Sequence, residues 1–272
     1  MTYPIFHNDA WKKAEEVTVS IKDVGFLRGF GIFDFFRIMD GKPIFLEDHL
    51  NRFLSSAQKM GIQHVYSKDV LAEIIMDLAK SAKDSCLGVK MVLSAGDSLN
   101  GFDPVGKSQL FVIPSVFSFT NFEKGMRLKS IEFQREMADI KSLNYAFALR
   151  HWSTIKALGF DDYLYHHSEI GVTECSRSNL FLVKDGVLIT PASGILEGVT
   201  RKKILEICQD KIKIEVRNVD VKSFLEADEV FTSGSTKRVV PILQIDGQLI
   251  NGGKIGEFTK ALYAELLMLE AK

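Results

Sequence analysis

Cysteine is scarce in this 272-residue chain. Cys86, Cys175 and Cys208 are an odd number without metal-ligand spacing. A disulfide framework and a cysteine-held metal are therefore not expected, and the thiols read as reduced, as in the cytoplasm. An excess of charge of one sign is also lacking: Lys+Arg 34 against Asp+Glu 35 leaves a net charge of −1, with no block of like charge. That argues against nucleic-acid binding by bulk electrostatics. No window approaches the ~18 uninterrupted apolar residues that cross a bilayer, so no membrane partner is expected. The stretch Met1–Asp9 has no basic region followed by an apolar one, so no signal peptide is expected. Internal repeats and low-complexity tracts are absent as well.

What remains is an ordinary globular composition, 46% hydrophobic and 25% charged, at a length that suggests two domains. Strand and helix signals alternate. Val17–Ile21 and Ile32–Met39 are β-prone runs, the second closed by Asp40-Gly41. A helix is expected from Glu47 to Met60, with Leu50, Phe53, Leu54 and Ala57 on one face and Gly61 as its stop. Ser67 is placed to cap a second helix striped by Val70, Leu71, Ile74, Ile75 and Leu78. Val89–Leu93 and Leu110–Val116 read as buried strands around a long loop at 96–106. Further on, short strands with Asp-Gly turns at 185–186 and 246–247 accompany helices near 144–158, 200–209 and 255–269. The expected fold class is α+β (mixed α/β) in two domains. Residues 1–117 form a smaller N-terminal α/β domain, 118–125 a linker, and 126–272 the larger C-terminal domain.

Two strings stand out. Lys141 lies in Met137-Ala-Asp-Ile-Lys-Ser-Leu-Asn-Tyr145, between a strand and a helix. Glu174 opens Glu-Cys-Ser-Arg-Ser-Asn-Leu-Phe181, which is followed by Asp185-Gly186 and Thr190-Pro191. Alone, each would be a solvated surface residue. Together, and in this order, they resemble the class IV aminotransferase family of branched-chain aminotransferases, D-amino-acid aminotransferases and aminodeoxychorismate lyases, nearly end to end. The resemblance implies a fold-type IV enzyme with a barrel-like C-terminal domain, pyridoxal 5'-phosphate as cofactor and a homodimer.

By the same resemblance, Lys141 forms the Schiff base with the cofactor and shuttles the proton. Glu174 accepts the pyridine N–H and keeps the ring an electron sink. Arg52, Val199, Thr200 and Ser235 hold the phosphate, where the helix that begins at Gly198-Val199-Thr200-Arg201 offers free N–H groups to an anion. Other strings carry less. Gly29-Phe-Gly31 has no third glycine and no helix after it, so it is no dinucleotide fingerprint. His166-His167 would point to opposite faces of a strand, which argues against a shared metal, and no metal is expected.

Substrate is less legible. Phe33, Arg37, Lys90, Thr236 and Lys237 are the candidate substrate-binding residues. The strand at Val89-Lys90-Met91 lacks the Tyr-x-Arg pair of branched-chain enzymes. Ser94-Ala-Gly-Asp-Ser98 lacks the Arg and His with which D-amino-acid enzymes hold a carboxylate. The expected activity is transfer of an amino group between an L-amino acid, branched-chain ones among the candidates, and a 2-oxo acid. The alternative is an aminodeoxychorismate lyase releasing pyruvate and 4-aminobenzoate.

Overall fold

The computed structural model describes residues 3–272. Residues 1 and 2, where the expected first domain begins, lie outside the described residues. The chain forms two compact units, one of residues 3–118 with Ile140–Asn144 and a larger one of Phe119–Asp139 with Tyr145–Lys272. The five residues around Lys141 thus belong to the first unit, while the chain on either side belongs to the second. A contiguous division of the sequence has no place for that return.

In the first unit, strands β1 (Ile5–His7), β2 (Ala10–Lys12), β3 (Gly31–Met39), β4 (Lys42–Pro43), β5 (Cys86–Ser94) and β6 (Gln109–Val116) form one sheet, in the order β2-β1-β6-β5-β3-β4. Every pairing is antiparallel. Helices α1 (Val24–Arg28), α2 (Leu46–Met60) and α3 (Lys68–Ser81) complete it. Glu47 and Asp48 occupy the first turn of α2, Lys59 its last, and Gly61 ends it in the left-handed region at φ 74°, as the helix dipole and the steric freedom of glycine favour. The Ser67 side chain accepts a bond from the Val70 N–H and starts α3.

Leu50, Phe53 and Ala57 of α2 and Leu71, Ile75 and Leu78 of α3 share one core with Ile32, Phe36, Ile38, Val89 and Met91 of the sheet. Side chains alternate along a strand. Asp34 therefore shares the helix-covered face, and Phe33, Phe35 and Arg37 share the other.

The Val17–Ile21 run is not a strand, contrary to expectation. Residues 18–21 are exposed, and the sheet already ends in β2 and β4. A β-branched run without a partner ladder stays irregular.

The segment 140–144 is stitched to the start of β3. Phe33 N–H donates to the Lys141 carbonyl at 2.9 Å, and Leu143 N–H donates to the Gly31 carbonyl at 2.9 Å. Lys141 N–H reaches Ser56 Oγ of α2 at 3.3 Å, and Ile140 enters the core.

The larger unit contains β7 (Met126–Glu132), α4 (Ala146–Ala157), β8 (Asp162–His167), β9 (Gly171–Cys175), β10 (Ser178–Lys184), β11 (Val187–Thr190), α5 (Val199–Cys208), β12 (Lys213–Val216), α6 (Val221–Leu225), β13 (Glu229–Gly234), β14 (Arg238–Ile245), β15 (Gln248–Leu249) and α7 (Glu257–Ala271). Six strands run β10-β13-β14-β7-β8-β9, and β9 pairs back onto β10 through Ser178–Cys175 and Asn179–Glu174, which closes a barrel. Leu128, Leu164, Cys175, Leu180, Leu182, Val230, Val240 and Ile242 belong to its apolar core. β11 and β12 extend the sheet from β10. β9 carries Glu174, yet the sequence marks it weakly: its five residues are Gly-Val-Thr-Glu-Cys.

Gly31 is a steric requirement of the stitched segment. A Cβ there would meet Leu143 Cδ1 at 2.6 Å and the Leu93 carbonyl oxygen at 2.9 Å. Gly31→Ala is expected to destabilise the protein by about 1–3 kcal/mol through overpacking. Chemical denaturation measures this, and a loss near zero would show that the Lys141 segment yields freely.

Candidate active site

In the first unit the sheet face opposite the helices gathers part of the expected site. Lys141 Nζ lies 4.5 Å from the centroid of the Phe33 ring and Lys90 Nζ 6.0 Å from it, distances at which an ammonium gains from the aromatic face. Arg37 is buried on the same strand face, four residues beyond Phe33. The backbone of Lys141 is fixed by β3 and α2.

The other face holds a buried charge cluster. Arg52 donates to Asp34 through Nε and Nη2, both at 2.8 Å, and His49 Nδ1 lies 2.7 Å from Asp34 Oδ1. Burial alone would raise the Asp34 carboxyl, but Arg52 and His49 beside it outweigh that and hold it well below the usual carboxylate range. An ionised Asp34 only accepts, so His49 Nδ1 is the donor. Burial pushes the His49 pKa down despite Asp34, and the ring is neutral near pH 7. Arg52, expected at the phosphate, thus commits two guanidinium nitrogens to Asp34. His49 and Arg52 sit at i, i+3 on one helix face, which is the sequence signal for this cluster.

In the larger unit, Glu174 is 5% exposed. It accepts from Arg135 Nε at 2.9 Å and from the Leu196 N–H at 3.1 Å. Directly across the strands from it stands Asn179, and across from Asn179 stands Ser233. This polar row lies on the outer face of the barrel, opposite the apolar interior set of β10 and β13. Asn179 Nδ2 holds the Leu196 carbonyl at 2.7 Å. Two residues on, Gly198 N-caps α5 without any side-chain cap. A Cβ at Gly198 would stand 2.1 Å from Asn179 Oδ1, so only glycine brings the helix start this close. The first N–H groups of α5 have no intrahelical acceptors, and Val199 and Thr200 are buried there.

Ser235, Thr236 and Lys237 form a three-residue loop between β13 and β14, with Lys237 N–H donating to the Gly234 carbonyl at 3.0 Å and Arg238 in the left-handed region at φ 60°, a common hairpin form. Lys237, expected at the substrate, is 5% exposed. Its ammonium donates to Ser178 Oγ at 2.9 Å and lies 3.3 Å from Asp162 Oδ2. Arg135 and Asp162 escaped the sequence reading, because their partners Glu174 and Lys237 lie far along the chain. Asn179 lies within the string that Glu174 opens, but nothing local shows that it stands across from both Glu174 and Ser233.

The family profile for amino-transferase class IV matches residues 31–245. The chain belongs to the class IV aminotransferases. Its family members are enzymes and use pyridoxal phosphate. A protein of Methanocaldococcus jannaschii with the provisional name branched-chain-amino-acid aminotransferase is 28% identical, over 95% of this chain and 93% of its own. The D-alanine aminotransferase of Staphylococcus aureus is 30% identical, over 95% and 94%. A Legionella pneumophila structure provisionally named 4-amino-4-deoxychorismate lyase is 29% identical, covers 94% of this chain and 97% of its own, and superposes with a TM-score of 0.87.

The buried His49 couples this class IV chain to pH. Its folded pKa is below the ordinary 6.5, so the unfolded chain binds the proton more readily and stability falls as pH drops below 6.5. The slope attributable to this group is at most about 1.4 kcal/mol per pH unit. His49→Gln keeps a donor for Asp34 and is expected to flatten that part of the profile. Melting temperature against pH measures it, and an unchanged slope would contradict the assignment.

Proposed function

We propose that this chain is a pyridoxal-phosphate-dependent aminotransferase that exchanges an amino group between an L-amino acid and a 2-oxo acid. The observation that carries the reading is the row Glu174–Asn179–Ser233 beside the uncapped start of α5. It combines a buried carboxylate, the backbone donors of a helix start and a Ser233 Oγ that is buried without a hydrogen-bond partner among the described residues. That donor set fits a ring nitrogen at one end and a phosphate at the other.

When bound, the cofactor supplies an electron sink for negative charge at the substrate Cα. Lys141 Nζ is the amine for covalent attachment, and the same nitrogen takes the proton from Cα and returns it. The Glu174 carboxylate holds the proton on the ring nitrogen. In the larger unit the α5 N–H groups and the Thr200 and Ser235 hydroxyls would hold the phosphate; the family resemblance proposes Arg52 of the first unit for the same task through its remaining nitrogen. Arg37, Lys90 and the backbone of Thr236 receive the substrate carboxylate, and Phe33 lines the side-chain pocket, which suits an aliphatic substrate.

The L-preference rests on residues 94–98, which lack an Arg and a His. The lyase is the second reading, favoured by the 29% identity to the Legionella chain. A homodimer accords with the exposed apolar residues Ile21, Phe26, Leu99 and Phe102, on two segments joined by Ser98 N–H to the Lys22 carbonyl and Arg28 Nε to the Gly101 carbonyl. The cysteine content, with no disulfide among the described residues, fits the cytoplasm.

Incubation with L- or D-amino acids and 2-oxoglutarate, followed by chiral amino-acid analysis, tests the activity. New L-amino acid is expected; D-product alone would reverse the stereochemistry, and pyruvate released from aminodeoxychorismate without transfer would establish the lyase. Borohydride reduction and peptide mapping should place the adduct on Lys141, and an adduct on another lysine would refute its role. Glu174→Gln should retain cofactor and lose rate by orders of magnitude, because an amide does not hold the ring proton.

A further inference from the structure

One buried charge pair in the larger unit has no part in the chemistry proposed above. Lys237 and Asp162 are 5% and 1% exposed. Asp162 also receives Ser176 Oγ on Oδ1 at 2.5 Å, and Ser178, which accepts from Lys237, receives Thr232 Oγ1 at 2.6 Å. By strand alternation, Asp162, Ser178 and Thr232 face the barrel interior together with Leu164, Leu180 and Val230. They form a polar plug at one end of an otherwise apolar core. Cys175 lies within it, its thiol pushed up to about 12 by burial and by Asp162. It therefore stays protonated and leaves one ammonium facing one carboxylate.

The pair connects two segments. Lys237 closes the loop whose first residues are Ser235 and Thr236. Ser176 opens the β9–β10 turn two residues after Glu174, and Ser178 leaves it immediately before Asn179. On the outside, the same loop is held by Arg238 Nε on Glu270 of α7 at 2.8 Å.

We propose that Lys237 is a positioning residue. From inside the barrel it sets the spacing between the Ser235–Thr236 loop and the β9–β10 hairpin that presents Glu174, so that one cofactor fits both ends. This rests on the cofactor reading above. An ion pair in the interior is weak evidence of stabilisation in itself; what it does supply here is a fixed length between two backbone segments.

The test compares Lys237→Met/Asp162→Asn, which removes both charges together, with Ser178→Ala and Ser235→Ala. Pyridoxal phosphate affinity, the visible absorption band of the bound cofactor, and the melting temperature without cofactor are measured for each. The expected result for the double variant is roughly tenfold weaker cofactor binding, the loss of about one well-placed hydrogen bond. Its absorption band should shift, since the Glu174 end moves too, and its cofactor-free melting should stay close to that of the parent. Ser178→Ala, which leaves the charges in place, should move affinity and band in the same direction by less, and keeps the test decisive if the double variant does not fold. If Ser235→Ala weakens binding while the Lys237 and Ser178 variants keep affinity and band, the positioning role is overturned and the cofactor reading stands. If Ser235→Ala also has no effect, the loop is no phosphate site and the positioning role falls with it, whereas a parent protein that binds no pyridoxal phosphate would overturn the cofactor reading itself.

Discussion

The seam between β9 and β10 is two residue pairs long, and the candidate site of the larger unit depends on it. Cys175–Ser178 and Asn179–Glu174 close the barrel. The second pair also sets Glu174 beside Asn179 and, through the Leu196 amide and carbonyl, beside the start of α5. A barrel leaves no free edge at this point. Fraying, the ordinary weakness of so short a ladder, is opposed by polar groups on both sides: the Lys237–Asp162 plug within and the Glu174–Arg135 pair without.

Buried charge recurs with a consistent logic in each unit. Asp34 is fully buried and satisfied by Arg52 and His49, Glu174 by Arg135 and a backbone amide, and Asp162 by Lys237 and Ser176. Removing a single partner from such a group leaves an uncompensated charge, which costs far more than the pair contributes. The clusters therefore tolerate the loss of a single partner poorly, and each holds the segments it joins at a set distance.

The sequence showed the long helices well because their apolar stripes and stops are local: Leu50–Phe53–Ala57 with Gly61, and the Ser67 cap. The central strands were legible for the same reason. Val17–Ile21 misled because propensity says nothing of whether an edge is available, and β9 was missed because five mixed residues carry no period. Lys141 and Glu174 could be named from their strings. Their supports could not: the ties of Lys141 to Ser56 and to β3, the hold of Arg135 on Glu174, and the commitment of Arg52 to Asp34 all join residues that only tertiary structure brings together.

The return of residues 140–144 to the first unit makes the chain cross between units three times rather than once. No single cut separates the two. A fragment starting at residue 119 would carry Ile140 without its apolar surroundings and Lys141 without the β3 backbone that fixes it. Lys141 is thus set in place by neither half alone, and recombination that exchanges one unit for that of a relative must match the β3 edge to a five-residue guest encoded elsewhere.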